Sequence, residues 1–259
     1  MTTSTPPLRI LITNDDGMHA PGIELLEQIA LTMTDDVWVV APDQERSGAG
    51  HSISLTLPIR MRQLGPKRFQ VAGTPTDCVL MALSQCMTDG PPTLLLSGIN
   101  SGANLAEDVT YSGTIAAAME GTLFGIRSIA LSQVRAPGTV ADFAPAAAFC
   151  PDLLRKVVAL ADWPPGSFIN INFPERAPED VAGIAAASQG KHKLGDDLIM
   201  RSDPRGRTYL WIGPQRNADI SAEGTDLKAV DEGYIAVTPL NVDLTHRPTM
   251  DRLRDLIRA

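Results

Sequence analysis

The sequence has no long hydrophobic run and no excess of basic charge, and each absence excludes a class of protein. No run approaches the roughly 20 apolar residues that a membrane-spanning helix needs, so we expect no membrane attachment. The first residues contain no apolar signal core, which predicts a disordered lead-in over 1–7 and a cytoplasmic location. The net charge of −8 argues against binding of long nucleic acid, because such binding relies on a basic surface.

Cysteine and histidine are scarce, and their spacing does not suit a zinc site. Cys78 and Cys86 fall in one helical pattern, so small core residues are favoured over a disulfide or a nucleophile. The four histidines form no HxxxH or HxH pair. A P-loop, a complete dinucleotide fingerprint and a GxSxG elbow are also missing. None of these common catalytic or cofactor-binding motifs is therefore expected.

The composition and the order of the predicted elements indicate an α/β protein. With 259 residues, 44% hydrophobic and 20% charged, the chain suits one large globular domain or one domain with an appendage. Short aliphatic runs alternate with helical patterns up to Pro174, which predicts a doubly wound parallel sheet. The predicted strands cover 8–13, 37–41, 53–57, 94–96, 128–131 and 168–173, and the predicted helices cover 23–33, 74–87, 114–124 and 141–161.

The pattern changes after Pro174. Ile184–Ser188 and Arg207–Ile212 resemble the two arms of a long antiparallel excursion with a polar tip between them. A short helix over 226–232 and a strand over 234–240 follow. The chain ends in a predicted amphipathic helix over 250–257, whose apolar residues recur at helical spacing and must pack on something.

The chain is organised around Asn14-Asp15-Asp16-Gly17, the turn that ends its first apolar run. Adjacent carboxylates at the end of a buried strand repel each other and need a cation or a shared proton. Oxygen ligands of this kind suit Mg²⁺ or Mn²⁺. The alternative is a simple turn, because Asn, Asp and Gly are the usual turn residues, and this stretch alone favours that alternative.

Two further loops follow predicted strands and carry oxygen-bearing side chains. One loop contains Ser47, and the other contains Asn100 with Gly102 and Asn104. Neighbouring strands would bring these loops to the same sheet edge as the acid pair, where they would complete an all-oxygen ligand set.

The Asn100 loop leads to a predicted helix that begins near Ser112-Gly113-Thr114. Backbone N–H groups at a helix N-terminus attract phosphate. Simple N-capping is the favoured role for Ser112 or Thr114 taken alone, and it is compatible with phosphate binding.

Five long motifs together resemble the SurE (stationary-phase survival protein) family of nucleotide phosphatases. The resemblance covers nearly the whole chain and implies metal-dependent hydrolysis of nucleoside 5′- and 3′-monophosphates, extending in some members to short polyphosphate. The motifs are ILITNDDGMHAPGI, VVAPDQERSGAGHSIS, GTPTDCV, SGINSGANLAEDVTYSGTIAAAMEG and GYIAVTPLNVDLT.

The resemblance assigns the site residues and one divalent ion, Mg²⁺ or Mn²⁺, per subunit. It implies metal ligation by Asp15, Asp16, Ser47 and Asn100, with the two aspartates also catalytic. It also implies a set of residues that bind the substrate phosphate, namely Asn100, Gly102, Asn104, Ser112, Gly113 and Thr114.

The resemblance also implies a Rossmann-like, mostly parallel sheet with a C-terminal antiparallel excursion and a tail exchanged between subunits. The expected organisation is one domain over 8–259, with a core over 8–183, the excursion over 184–213 and an oligomerisation segment over 226–259. Homodimers and homotetramers are both implied. The segment Gln189–Arg207 matches no motif of the family, so base preference stays open.

These observations predict a phosphomonoesterase acting on nucleoside monophosphates. The rival hypotheses are a metal-dependent nucleotide sensor without turnover and an oligomer with a structural cation. The identity of the general base stays open, and a covalent aspartyl-phosphate ranks lower. His51 is predicted equally well as a donor to phosphate or to the leaving oxygen and as a loop residue held by backbone contacts. For Arg46 a surface carboxylate is the favoured partner.

Overall fold

The computed structural model describes residues 7–191, 198–212 and 220–258, so the predicted lead-in lies outside it except for Pro7. The strands are β1 (Ile10–Thr13), β2 (Val37–Pro42), β3 (Arg60–Gly65), β4 (Arg68–Ala72), β5 (Leu94–Ser101), β6 (Arg127–Gln133), β7 (Ser167–Phe173), β8 (Gly183–Ala186), β9 (Leu198–Ser202), β10 (Thr208–Ile212) and β11 (Tyr234–Asn241). The helices are α1 (Pro21–Leu31), α2 (Pro75–Met81), α3 (Gly113–Leu123), α4 (Ala144–Val158), α5 (Asp226–Asp231) and α6 (Arg247–Arg258).

Nine strands form one mostly parallel sheet, in the order β3-β4-β2-β1-β5-β6-β7-β11-β8. The central strands run parallel, whereas β3 and β11 run antiparallel to β4 and β7. A separate two-stranded antiparallel sheet is formed by β9 and β10. The predicted α/β class and mostly parallel sheet are confirmed. No described helix is long and apolar enough to cross a membrane.

Helices cover both faces of the sheet, which explains why its central strands read as continuous aliphatic runs. Ile10 and Ile12 of β1 pack with residues of α1 and α4 on one face. Leu11, between them, packs with residues of α2 and α3 on the other face. Side chains of a strand alternate between faces, so a strand covered on both sides needs an apolar residue at every position.

The strand predicted over 53–57 is wrong. Its alternating apolar residues do not face the core, because Leu55 and Leu57 are 82% and 75% exposed. The segment is held instead by Asp77, which accepts hydrogen bonds from the backbone N and the Oγ of Ser54 at 3.0 and 2.7 Å. An antiparallel hairpin forms later in the sequence, between β3 and β4.

The two predicted arms of the C-terminal excursion do not pair with each other. β8, which corresponds to the first arm, joins the main sheet beside β11 in parallel register. The second arm, β10, pairs antiparallel with β9, for which no strand was predicted. A short apolar stretch indicates a strand, but it does not indicate which other strand it pairs with. Residues 192–197 of the predicted polar tip lie outside the described residues.

The helix predicted over 74–87 is α2, which continues as a π-helical turn over Ala82–Cys86. Thr74 caps it, in a capping box with Asp77. Burial opposes ionisation of Asp77, but hydrogen bonds from Ser54 and Thr74 outweigh it and lower the pKa of this carboxyl below its usual value. The ionised group therefore joins the start of α2 to the loop that contains Ser54.

We expect Asp77→Asn to destabilise the fold at neutral pH by about 1 kcal/mol, the typical contribution of a helix cap. The folded-state pKa of Asp77 lies below its unfolded value. Its contribution is therefore complete above the unfolded pKa of about 3.9 and disappears as the pH falls through the folded pKa. Urea unfolding midpoints at pH 7 and pH 3 should show a difference from the parent protein that shrinks in acid. The exposed Asp152→Asn serves as control, and a difference that persists at pH 3 would contradict the prediction.

Candidate active site

Three loops meet at the C-terminal edge of the parallel strands and are joined by hydrogen bonds that backbone N–H groups donate. The N–H of Arg46, in the loop after β2, donates to the carbonyl O of Asp15 at 2.8 Å. The N–H of Ser101, at the end of β5, donates to Asp16 Oδ2 at 2.9 Å. The loops after β1, β2 and β5 therefore lie together, at the sheet edge where open α/β folds bind their ligands.

The turn after β1 is made by Asn14 and Gly17, not by the aspartates between them. Asn14 Nδ2 donates to the carbonyl O of Gly17 at 2.9 Å, and the Gly17 N–H donates to Asn14 Oδ1 at 3.2 Å. The side chains of Asp15 and Asp16 instead contact other elements. The simple-turn alternative therefore explains Asn14 and Gly17 but not the acid pair.

Asp15 is 4% exposed and lies against the N-terminus of α3. Thr114 Oγ1 donates to Asp15 Oδ1 at 2.6 Å. Burial raises the pKa of Asp15, and it is opposed by the Thr114 hydroxyl and by the backbone N–H groups of Thr114 and Gly113. The positive end of the helix thus faces this carboxylate and favours its ionised form.

Asp16 is half-buried beside this first carboxylate. Burial and then the charge of Asp15 raise the pKa of Asp16 to about 6, while the Ser101 N–H and the charge of Arg135 act in the opposite direction. Two carboxylates in one partly desolvated position favour a bound cation, which would relieve their repulsion. The pair therefore fits a hard divalent ion in its chemistry.

Gly113 allows α3 to approach Asp15 this closely. A Cβ atom at Gly113 would lie 2.8 Å from Asp15 Cβ and 3.0 Å from both Asp15 Oδ2 and Pro75 Cγ. Side-chain carbon atoms do not normally come so near, so only glycine fits at this position without displacing a neighbour. The sequence predicted Gly113 as a phosphate-side residue, and the structure gives it this steric role.

Of the other two predicted metal ligands, Ser47 lies in the loop after β2, whereas Asn100 lies in β5, which extends beyond the predicted 94–96 to Ser101. Ser47 is exposed, and its Oγ donates to Glu45 Oε1 at 2.8 Å. Asn100 donates through Nδ2 to the carbonyl O of Gly102 at 2.9 Å, so its amide oxygen is the atom left for a cation. Gly102 has a φ of +145°, a conformation that favours glycine.

Asn104 is anchored in the interior by two asparagines of β7. Its N–H donates to Asn172 Oδ1 at 2.9 Å, and its carbonyl O accepts from Asn170 Nδ2 at 2.8 Å and Asn172 Nδ2 at 3.1 Å. Its own Nδ2 donates to Ser132 Oγ at 2.8 Å. Asn104 is 5% exposed, so these contacts fix the end of the Asn100 loop.

The remaining candidates divide between capping and surface contacts. Ser112 Oγ accepts from the N–H of Ile115 at 3.1 Å, so the capping role is confirmed for Ser112. Thr114 is not a cap, since its hydroxyl donates to Asp15. His51 Nε2 lies 2.7 Å from Glu120 Oε2 on α3, and Arg46 forms the predicted surface contact, with Asp43.

Sequence reasoning missed Arg135 and the two asparagines of β7. Arg135 follows β6, donates to the carbonyl O of Ser101 at 3.0 Å and lowers the pKa of Asp16. The asparagines alternate with Ile169 and Ile171, and this alternation within a buried strand could have predicted a network of polar contacts. Arg135 has no comparable signal.

The site contains ligands for a hard cation rather than for zinc. In the described part of the chain, no three His, Cys, Asp or Glu side chains come together as a metal cluster. The acidic component is the Asp15–Asp16 pair, and a serine hydroxyl and an asparagine amide oxygen lie on the adjoining loops. Carboxylate, hydroxyl and amide oxygens suit Mg²⁺ or Mn²⁺.

Comparison with known proteins shows that this chain is similar to the members of one protein family. The family model for "Survival protein SurE" matches residues 10–196. A "5′-nucleotidase SurE" of Rhodospirillum rubrum is 52% identical over 248 residues, covering 95% of this chain and 94% of its own. One from Paramagnetospirillum magneticum is 51% identical over 246 residues, with coverage of 95% and 94%. The crystal structure of the SurE protein from Aquifex aeolicus superposes with a TM-score of 0.83 at 39% identity, covering 96% of this chain and 99% of that one.

Proposed function

Because this chain belongs to the SurE family, we propose that it hydrolyses nucleoside 5′- and 3′-monophosphates at the Asp15–Asp16 site, using a divalent metal ion. It is a 5′-nucleotidase, a hydrolase of phosphoric monoesters, and relatives about half identical over nearly the whole chain carry that name. The single observation that supports this site is the carboxylate pair, in which Asp15 is buried against the N-terminus of α3 and Asp16 lies half-buried beside it.

Enzymes of the SurE family are generally metal-dependent. Asp15, Asp16, Ser47 and Asn100 would hold the ion here, and Mg²⁺ and Mn²⁺ are the ions that such ligands suit. The chemistry that such an ion supplies is charge neutralisation on the phosphoryl oxygens and a lower pKa for the attacking water.

The protein's own contribution is orientation before the reaction begins. The Thr114 hydroxyl donates to Asp15 and fixes its direction, and the N-terminal N–H groups of α3 oppose the rise in its pKa that burial causes. The Ser101 N–H holds Asp16 Oδ2, and the Asn104 anchors fix the far end of the same loop. The phosphoryl group would lie between the Asn100 loop and the start of α3, where preorganised dipoles stabilise developing negative charge.

Small phosphomonoesters are the expected substrates. The net charge of −8 disfavours long polyanions, so nucleoside monophosphates should be turned over far better than single-stranded DNA or RNA. A nucleotide sensor without turnover is not favoured, because the relatives are named as nucleotidases.

Phosphate release from AMP tests the function directly. We expect the purified protein to release inorganic phosphate from AMP with Mn²⁺ or Mg²⁺, and to lose this activity in EDTA and regain it when metal is restored. Binding of AMP without release of phosphate under any of these conditions would instead indicate a sensor. Release of phosphate that is unaffected by EDTA would refute the role of the metal.

We also propose a homodimer or homotetramer, because the C-terminal elements expose apolar surface. Leu253, Leu256 and Ile257 of α6 are 48%, 72% and 80% exposed, and no residue of this helix is buried. The hairpin of β9 and β10 also exposes Leu198, Met200, Leu210, Trp211 and Ile212. Apolar stripes of this kind on a helix and a hairpin are typical of surfaces that a second subunit covers.

Deletion of residues 243–259 should lower the oligomeric state. The deletion removes the apolar stripe of α6, while no residue of the core clusters on the two faces of the sheet lies within 243–259. Size-exclusion chromatography with light scattering measures the change, and circular dichroism checks that the truncated protein is folded. The same species before and after truncation would mean that α6 does not contribute to assembly.

A further inference from the structure

Asp226, the first residue of α5, is a buried carboxylate that the chemistry described above does not use. Its side chain accepts hydrogen bonds from three backbone N–H groups. Oδ2 accepts from Ala106 at 2.9 Å, and Oδ1 accepts from Gly190 at 2.7 Å and from Leu227 at 2.8 Å. One carboxylate therefore joins α5 to two segments that are far away in the sequence.

Ala106 lies within 100–114, the phosphate-side segment, which contains all the predicted phosphate-binding residues. Its φ is +50°, in the left-handed region that favours glycine. Both of its backbone polar groups are held from outside the segment, the N–H by Asp226 and the carbonyl O by Gln189 Nε2 at 2.9 Å. A backbone conformation of this kind persists only where its surroundings fix it, and these two side chains do so.

The position of Ala106 affects the segment on both sides of it. On one side, Leu105 packs in a small apolar cluster with Leu227 of α5. On the other side, a 3₁₀ helix begins at Ala106 itself, and the N–H of Ser112 donates to a carbonyl O of this helix at 3.1 Å. A shift of Ala106 would therefore displace the start of α3, against which the acid pair lies.

The base of the C-terminal excursion is shaped to contact Asp226. A Cβ atom at Gly190 would lie 2.8 Å from Asp226 Oδ1 and 3.0 Å from Leu227 Cδ1, so only glycine allows the chain to come this close. The N–H of Asp226 also donates to the carbonyl O of Ser188 at 2.8 Å. The excursion thus holds Asp226 through its main chain as well as through its side chain.

We propose that Asp226 is a positioning residue, which fixes the phosphate-side segment at Ala106 and ties it to the base of the excursion. The proposal rests on the nucleotidase function above. Asp226 acts through Ala106 and does not touch the substrate. A carboxylate suits this role because both of its oxygens accept hydrogen bonds, whereas an amide has one accepting atom for the two directions occupied here.

Asp226→Asn tests the proposal, because it keeps the shape of the side chain and turns one acceptor into a donor. We expect kcat/KM for AMP to fall by about 10²-fold, the loss that a misplacement of about 1 Å can cause. The inhibition constant of inorganic phosphate should rise by about ten-fold, since the phosphate-side segment is no longer held in place. Backbone hydrogen exchange within 100–112 should become about ten-fold faster, because a buried hydrogen bond is lost.

Thr225→Ala is the matched control on the same helix. Thr225 Oγ1 caps α5 by accepting from the N–H of Lys228, and its side chain does not contact Ala106. Its loss should lower the melting temperature, as the loss of a cap does, and leave kcat/KM, phosphate inhibition and exchange within 100–112 unchanged.

Gln189→Met provides a second variant in case Asp226→Asn impairs folding. It keeps the length of the side chain, removes the donor to the carbonyl O of Ala106 and leaves Asp226 in place. We expect a fall in kcat/KM for AMP of about five-fold, which corresponds to the loss of one neutral hydrogen bond.

Unchanged kcat/KM and phosphate inhibition in the Asp226 and Gln189 variants would refute the proposal. A loss of the same size in Thr225→Ala would also refute it, because activity would then follow the stability of α5. If the parent protein released no phosphate from AMP, the nucleotidase function would fail, and hydrogen exchange would still test Asp226. Faster exchange within 100–112 in Asp226→Asn but not in Thr225→Ala would support the positioning role, and equal exchange in the two variants would refute it.

Discussion

Asp15→Asn and Asp16→Asn should each lower the rate of phosphate release from AMP by about 10²- to 10³-fold, the usual cost of losing one well-placed electrostatic contact. Each substitution keeps the shape of the side chain and removes one negative charge. The fold should survive, since the turn is made by Asn14 and Gly17. Without metal the variants should be at least as stable as the parent protein, because each substitution removes the repulsion between the negative charges of Asp15 and Asp16.

The metal response separates this explanation from a general structural defect. Mn²⁺ should raise the melting temperature of the parent protein and should have little effect on either variant. Asp43→Asn is a matched control at the same sheet edge, where the carboxylate contacts Arg46 at 3.3 Å and not the acid pair. It should keep both the activity and the response to Mn²⁺. Near-normal turnover with an unchanged Mn²⁺ requirement in both acid variants would refute the metal site.

The strands of the sheet could be predicted from the sequence where both faces are buried, because such strands consist of unbroken runs of apolar residues. β1, with Leu11 on one face and Ile10 and Ile12 on the other, is such a strand. The alternating residues of 53–57 produced a false strand, because alternation indicates a half-buried strand only if one face is actually covered. Here Leu55 and Leu57 are exposed, and a helix cap, Asp77, holds the segment.

The site was predictable to the extent that its residues follow neighbouring strands. Asp15 and Ser47 lie in the loops after β1 and β2, and Asn100 lies near the end of β5, so sheet topology alone brings them to one edge. Arg135 and Asn172 act through contacts with residues far away in sequence, which only the folded chain defines. The steric role of Gly113 depends on the distance between α3 and the turn after β1, which the sequence does not contain.

Gly113→Ala should reduce kcat/KM for AMP by about 10²-fold, the loss that a misplacement of about 1 Å can cause. The new methyl group would lie 2.8 Å from Asp15 Cβ and 3.0 Å from Asp15 Oδ2, so either the carboxylate or the start of α3 must move. In an uncrowded helix the same change would stabilise the protein by up to about 1 kcal/mol, because alanine favours helix more than glycine does. Loss of activity without that gain would therefore indicate steric displacement at the site.

Gly121→Ala is the matched control on the same helix. Its methyl group would lie 2.7 Å from Leu95 Cδ1 and Ser128 Oγ, in the core and away from the acid pair. It should lower the melting temperature as overpacking does, while the folded protein keeps its kcat/KM and its response to Mn²⁺. If Gly113→Ala behaved in the same way, with normal kcat/KM at a reduced melting temperature, the close approach of α3 to Asp15 would be a packing feature without a role in positioning that carboxylate.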